Sequence, residues 1–285
     1  MREDASGIDI AIQIMDMKDE NLLMVTAGSV NVRKQPSSGS ELLTQALIGE
    51  ELRSCCRDNG WHLIRMSDGY CGWVADRGVL SADRRNIEQY RMRVNKMVVS
   101  NAAKVYTEPA DNSLCMEELV AGSRIAADDT GTSAFLRVTL PSGDEGFVSR
   151  RDIDDAGLSV KSGPAGILRR AAGFMGIPYL WGGATTRGFD CSGLVKRVFD
   201  MEGVVLPRDS DLQAECGEEI DPEDAVRSRP GALIFFSGGT GINHVAISAG
   251  RGNFIHSRGS VRIENLDHPD CSLSGNSLCR AVLVL

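Results

Sequence analysis

What this sequence lacks narrows its function before any motif is read. No apolar run approaches the roughly 18 residues that a membrane-crossing helix needs, so no membrane span is expected. There is no surplus of basic charge: 31 Lys and Arg stand against 39 Asp and Glu, a formal net charge of -8. A nucleic-acid binder would carry a basic patch, and an acidic chain is poorly held on anionic polymers or membranes. None of the eight cysteines forms a C-x-x-C pair, which argues against a zinc or thioredoxin-like site. The N-terminus, Met1-Arg2-Glu3-Asp4, lacks the basic-then-apolar layout of a signal peptide. A chain this long needs no disulfide framework, so reduced thiols and a cytoplasmic location are expected. A periplasmic or secreted chain whose leader had been removed would read the same. A monomer is the expectation.

What is present suits a globular protein with two or three cores. The 285 residues are 42% hydrophobic and 25% charged. Residues 1–21 place Ile8, Ile10, Ile12 and Ile14 at alternate positions, a strand pattern, with a short amphipathic helix as the other reading. Residues 22–80 read as short strands broken by turns, with Asn59-Gly60 and Asp68-Gly69 as hairpin signals. Close-spaced short strands mean a small β-barrel. Residues 97–160 repeat the layout: Glu118 to Gly122 echoes Gln45 to Gly49, and Gly146-Phe147-Val148 echoes Gly72-Trp73-Val74. An internal duplication into two barrels follows. The charged stretch 81–96 between them reads as a solvated helical linker.

From residue 163 to 285 the texture changes. A helix is expected over 165–174 and a second after Cys191, where Leu194, Val195, Val198 and Phe199 share one helical face. Strands follow at 232–236, 244–248, 253–256 and 281–285. A helix packed on an antiparallel sheet is an α+β layout.

Tyr179-Leu180-Trp181-Gly182-Gly183 leads through Gly188 to Phe189-Asp190-Cys191-Ser192-Gly193. Asp190 is a good N-cap, and Cys191 then lies in the first helical turn, where unpaired N–H groups favour an anion. A thiol there should lose its proton readily and act as a nucleophile; a buried structural cysteine is the other reading. Of the four histidines, His62 lies in a barrel strand and His268 in a loop. His244 and His256 flank a turn-like Ala249-Gly250-Arg251-Gly252-Asn253. If that turn centres on Gly250, residues whose numbers sum to 500 face each other, and the two histidines are direct cross-strand neighbours. A one-residue slip would separate them. Cys191, His244 and His256 fit nucleophile, base and orienter. A metal pair without a nearby carboxylate or thiol is a poor zinc site, and structural histidines are the remaining reading.

These residues carry a resemblance. Tyr179-x-Trp181-Gly182-Gly183, Phe189 to Val195, Pro230 to Phe236, His244 to Ile247 and Phe254-Ile255-His256 resemble the NlpC/p60 family of papain-like cysteine peptidases, over roughly residues 163–285. The two repeats resemble bacterial SH3 (SH3b) domains, less so in the second, where Phe147 replaces Trp. The resemblance implies a peptidase that cuts between γ-D-glutamate and the diamino acid (meso-diaminopimelate or L-lysine) of murein tripeptides or tetrapeptides. Cys191 would be nucleophile, His244 base and His256 the third polar residue. Tyr179 would lie near the oxyanion or diamino acid, and Trp181 and Ser192 would line the pocket. No cofactor or metal is implied.

Two SH3b domains before such a domain resemble a narrower group that recycles murein peptides and requires a free N-terminal L-alanine. Leu206-Pro207-Arg208-Asp209-Ser210 matches its R-D-S segment, which implies Asp209 and Ser210 as partners of the substrate ammonium. Tyr70 matches a tyrosine lent by the first barrel, and Glu41 a glutamate supplied there. The rival readings are an N-cap for Asp209, a core or edge aromatic for Tyr70 and a solvated Glu41. At the level of function the rivals are a lytic hydrolase anchored on intact wall by its SH3b domains and a non-catalytic binding module.

Overall fold

The computed structural model describes residues 21–284 apart from 130, 132, 156–162 and 240. The alternating isoleucines near the N-terminus lie outside the described residues. The first repeat has seven strands: β1 (Asn21–Val25), β2 (Ser29–Arg33), β3 (Leu42–Leu47), β4 (Glu51–Asp58), β5 (Trp61–Arg65), β6 (Cys71–Ala75) and β7 (Val79–Ser81). The second has β8 (Val94–Val98), β9 (Ala102–Tyr106), β10 (Cys115–Val120), β11 (Arg124–Asp128), β12 (Phe135–Thr139), β13 (Glu145–Ser149) and β14 (Ile153–Asp155). Sheet orders are β3-β2-β6-β5-β4-β1-β7 and β10-β9-β13-β12-β11-β8-β14. The second order is the first advanced by seven strands throughout, as a duplication requires. Val25, Val32, Ala46, Leu52, Ile64 and Val74 come from six different strands and meet in one core, so the sheet must curl over on itself.

The glycine of the G-W-V and G-F-V strands has the same use in both copies. A Cβ on Gly72 would meet Val32 Cγ1 at 2.6 Å and the Arg33 carbonyl at 2.9 Å; one on Gly146 would meet Val105 Cγ1 at 2.6 Å and the Tyr106 carbonyl at 2.9 Å. Here two backbones approach too closely for any side chain.

Helix α1 (Arg84–Arg93) joins the repeats, capped by Asp83, whose carboxylate accepts the Asn86 amide at 2.7 Å. It is more than the solvated face expected from its charge. Ile87 and Tyr90 are buried with Leu22 and Met24 of the first repeat and Ala126 of the second. The chain turns extended at Val94, so the second sheet starts there rather than at 97.

The last part comprises α2 (Gly163–Gly173), the hairpin β15 (Ala184–Thr185) and β16 (Gly188–Phe189), α3 (Cys191–Met201), α4 (Ser210–Gln213), β17 (Glu218–Ile220) and α5 (Pro222–Ser228). The strands β18 (Leu233–Ser237), β19 (His244–Gly250), β20 (Asn253–Arg258), β21 (Ser260–Asn265) and β22 (Ser277–Leu283) complete it. Its antiparallel sheet runs β17-β22-β18-β19-β20-β21. The apolar stripe of α3, Leu194, Val195, Val198 and Phe199, shares a core with Leu233, Phe235, Val245 and Ile247. Strands β17 and β21 and helices α4 and α5 were not anticipated.

Because Ile87 is 1% exposed and wedged between the repeats, Ile87→Ala should destabilise that junction by about 2–5 kcal/mol. The check is a lower urea midpoint for the tryptophan fluorescence of the barrel region; an unchanged midpoint would show the linker helix is not structural.

Candidate active site

Asp190 builds the start of α3. It takes extended backbone angles as N-cap, and its Oδ1 accepts the Gly193 amide at 2.7 Å. Its Oδ2 accepts the Gly182 amide at 2.9 Å, which ties the Trp-Gly-Gly loop to the helix. A Cβ on Gly193 would lie 2.0 Å from the Gly183 carbonyl, and one on Gly182, at φ +75°, would lie 2.1 Å from the Leu42 carbonyl of the first barrel. The loop is therefore pressed between the cysteine helix and that barrel, and only glycine fits.

Cys191 follows, half-buried against the core, with the Ser192 and Val245 amides donating toward its sulfur. Val245 is the neighbour of His244 on β19. His244 Nε2 and His256 Nδ1 are 2.8 Å apart, the rings edge-to-face at 87°. The structure thus brings His244 and His256 together, and sets Cys191 against Val245, the residue after His244, but by a different register. Ile247 pairs with Ile255 and Ser248 with Phe254, so facing numbers sum to 502, not 500. The turn centres on Arg251-Gly252, at φ 57° and 81°, and a bulge between Ser248 and Gly250 takes up one residue. The resulting slip of two residues keeps both histidines on one face, and they meet diagonally.

The electrostatics also differ from the expectation of an easily ionised thiol. Burial, followed by the Asp190 carboxylate, pushes the Cys191 thiol up to about 11, outweighing the two amides and Arg208. Burial and the neighbouring ring push His244 well below the ordinary imidazole range, and burial does the same to His256. Both shifts favour the neutral forms, a thiol on Cys191 and an imidazole on His244. A proton passing from sulfur to His244 as the sulfur attacks fits that state.

Arg208 was quoted only as part of a motif, yet it organises one wall. It is 3% exposed. Nε donates to Thr44 Oγ1 of the first barrel at 3.1 Å, Nη1 to Ser192 Oγ at 2.7 Å, and Nη2 pairs with Asp190. This corrects the placing of Ser192 as pocket lining: its hydroxyl is buried in the Arg208–Asp190 network and braces the helix. Asp209 sits at the N-cap position of α4 but makes no side-chain cap bond. Its Oδ1 accepts instead from Tyr70 Oη, in the first barrel, at 3.3 Å. Burial raises the Asp209 carboxyl and raises the Tyr70 phenol above its usual range, so Tyr70 stays the donor. Ser210 opens α4 beside them. Tyr179, about one-third exposed, has its phenol pushed up to about 12 by burial, then by Cys191. Trp181 is exposed, and its Nε1 donates to Glu41 Oε1 at 2.9 Å. Glu41 also pairs with Lys34 at 3.7 Å; it stands on the loop rim rather than free in solvent.

All eight cysteines are free thiols. Among the described residues no group of three or more His, Cys, Asp and Glu is placed to hold a metal ion.

Residues 176–273 match the NlpC/P60 family, and residues 32–79 match the bacterial dipeptidyl-peptidase Sh3 domain. The gamma-D-glutamyl-L-lysine dipeptidyl-peptidase of Bacillus cereus is 28% identical over 257 residues, covering 82% of this chain and 73% of that protein. Dipeptidyl-peptidase 6 of Lysinibacillus sphaericus is 26% identical over 264 residues, covering 86% and 93%. A crystal structure of an NlpC/P60 family protein from Bacillus cereus matches with a TM-score of 0.78 at 22% identity, over 93% of this chain and 99% of that one. That likeness shows the fold of the three-part chain.

A neutral resting thiol has a measurable signature. Alkylation of Cys191 by iodoacetamide, followed by peptide mass spectrometry, should be slow at neutral pH and climb toward pH 11, where the thiolate forms. A rate already at its plateau by neutral pH would mean a preformed thiolate.

Proposed function

We propose that this chain, whose residues 176–273 are an NlpC/P60 domain behind a bacterial dipeptidyl-peptidase Sh3 domain, is a cysteine peptidase that hydrolyses the γ-D-glutamyl–diamino acid amide of murein peptides bearing a free N-terminal L-alanine. Relatives named gamma-D-glutamyl-L-lysine dipeptidyl-peptidase and dipeptidyl-peptidase 6 support the bond chosen. In this reading Cys191 attacks the γ-glutamyl carbonyl as His244 takes its proton. The acyl-enzyme forms, His244 returns the proton to the leaving amine, and water then releases the dipeptide. The Cys191 amide, at the helix start where N–H groups lack an intrahelical acceptor, and the Tyr179 phenol would steady the oxyanion.

One observation carries the free-amine requirement. Asp209 stands where an N-cap should be, yet leaves the helix uncapped and turns to a phenol of another domain. Among the described residues, the one side-chain hydrogen bond of this half-buried carboxylate comes from a neutral phenol, with the Arg208 charge acting on it from nearby; a substrate ammonium would add a charge-assisted bond. The barrel that supplies Tyr70 also presses on the Trp-Gly-Gly loop at Leu42, and a barrel so placed would favour short peptides with free ends over an intact wall. Recycling of wall peptides fits that preference, and wall lysis does not.

The test compares L-Ala-γ-D-Glu-diamino acid tripeptides with free and acetylated alanine, with intact sacculi alongside, read by mass spectrometry. A buried charge left unpaired costs about 3–5 kcal/mol, so kcat/KM should fall at least about a hundredfold on acetylation. Asp209→Asn should lose most of that discrimination, and Cys191→Ser should give no product. Since burial raises the Asp209 pKa, its carboxylate is lost as pH falls, at a higher pH than for an ordinary aspartate. KM should therefore rise on the acid side, and Asp209→Asn should flatten that rise. Equal cleavage of both tripeptides would remove the ammonium pocket. Cleavage of sacculi alone would favour the lytic reading.

A further inference from the structure

We infer that Glu264 is a positioning residue that fixes which nitrogen of each active-site histidine carries the proton, and so makes His244 Nδ1 the base. The inference rests on the cysteine-peptidase reading above. Glu264 lies on β21, opposite Phe254 on β20, so it shares a sheet face with His256 two residues on. Its Oε2 accepts the Ser272 amide and hydroxyl, both at 2.9 Å, and the Cys271 thiol at 3.6 Å. Its Oε1 faces Arg262 Nη1 at 3.4 Å. Every one of these neighbours donates, so the group is held as a carboxylate. Burial alone would raise its pKa, but the Ser272 bonds and the other neighbours outweigh this and lower it.

The same Oε2 lies 3.6 Å from His256 Nε2, a buried nitrogen with no hydrogen-bond partner. That distance is too long for a hydrogen bond, but not for electrostatic control. A bare Nε2 would set its lone pair against the carboxylate in a dry interior; an N–H there is favoured. A neutral imidazole has one N–H, so His256 Nδ1 is bare. The 2.8 Å contact then runs one way, from His244 Nε2–H to His256 Nδ1. His244 is left with a bare Nδ1, ready to accept the Cys191 proton. Without Glu264 the opposite order satisfies the same 2.8 Å contact: His256 Nδ1–H donates to His244 Nε2, and His244 Nδ1 carries a proton and accepts nothing. Arg258 and Arg262 oppose charge on the rings, while Glu264 favours it once His244 becomes imidazolium. No proton reaches Glu264; it stays ionised throughout.

Two measurements test this. In the wild-type enzyme without substrate, side-chain nitrogen NMR should show both His244 and His256 protonated on Nε2 and bare on Nδ1. Glu264→Gln, close in shape, should populate the other tautomer and lower kcat roughly tenfold to a hundredfold, at or below the about 10²–10⁴ of a full general base. KM should stay within about twofold, and the melting temperature reports folding separately. Glu264→Asp should restore part of the tautomer order and of kcat. A wild-type His256 protonated on Nδ1, or a Glu264→Gln enzyme with wild-type kcat and tautomers, overturns the inference. If Cys191→Ser proved as active as the parent, the peptidase reading would fall while the nitrogen assignment stood, because it is read without turnover.

Discussion

One carboxylate holds this active site together. Asp190 caps the cysteine helix, anchors the Trp-Gly-Gly loop through the Gly182 amide and pairs with Arg208. Arg208 in turn reaches Thr44 in the first barrel. Helix start, Trp-Gly-Gly loop and neighbouring domain are thereby referred to one point. A buried pair of this kind adds little net stability, because desolvation offsets most of the attraction. Its value is geometric: each partner has too many bonds to take a second position.

That arrangement has an electrostatic consequence. The charge that orients the helix lies beside the nucleophile and, with burial, raises the thiol pKa against the helix N-terminus and the Val245 amide. His244 is meanwhile made a poor proton holder by burial. Burial thus works against the charged form of both groups. In the proposed reaction, donors fixed in advance would stabilise charge where it develops.

Much of this was legible in the sequence because it is local. Asp190 as N-cap, the helix after Cys191 and the duplicated strands all follow from patterns within a few residues. What failed was set across space. The histidine register was misjudged because Ala249 lies in a bulge and the turn centres on Arg251-Gly252, a detail of dihedral angles rather than of composition. The shared face survived only because the error was two residues and not one. Ser192 looked like pocket lining because its partner, Arg208, lies 16 residues on in the chain. Glu264 was invisible because β21, with Ile263 exposed and only Val261 deeply buried, does not read as a core strand. The single cue available was a carboxylate a few residues beyond the second histidine.

The two copies of the duplicated sheet meet the last part of the chain differently. At the β5–β6 turn of the first barrel, Asp68 pairs with Lys196 of the cysteine helix at 2.8 Å and Tyr70 reaches Asp209. At the corresponding turn of the second, Ser142 bonds to Asp144 at 2.8 Å, exposed and facing no other domain. The second copy docks through Asn101, which bonds to Gly173 and Thr186, and through its Gly122 turn. A Cβ on Gly122 would lie 2.8 Å from Arg197 Cδ of the cysteine helix, whereas Gly49, its counterpart, meets Tyr90 of the linker helix. Both barrels contact the cysteine helix, the first through Asp68 at Lys196 and the second through Gly122 at Arg197 and Arg124 at Asp200. The first lies against the Trp-Gly-Gly loop through Leu42 and against Asp209 through Tyr70, while the second meets Thr186 and Arg187 just beyond that loop.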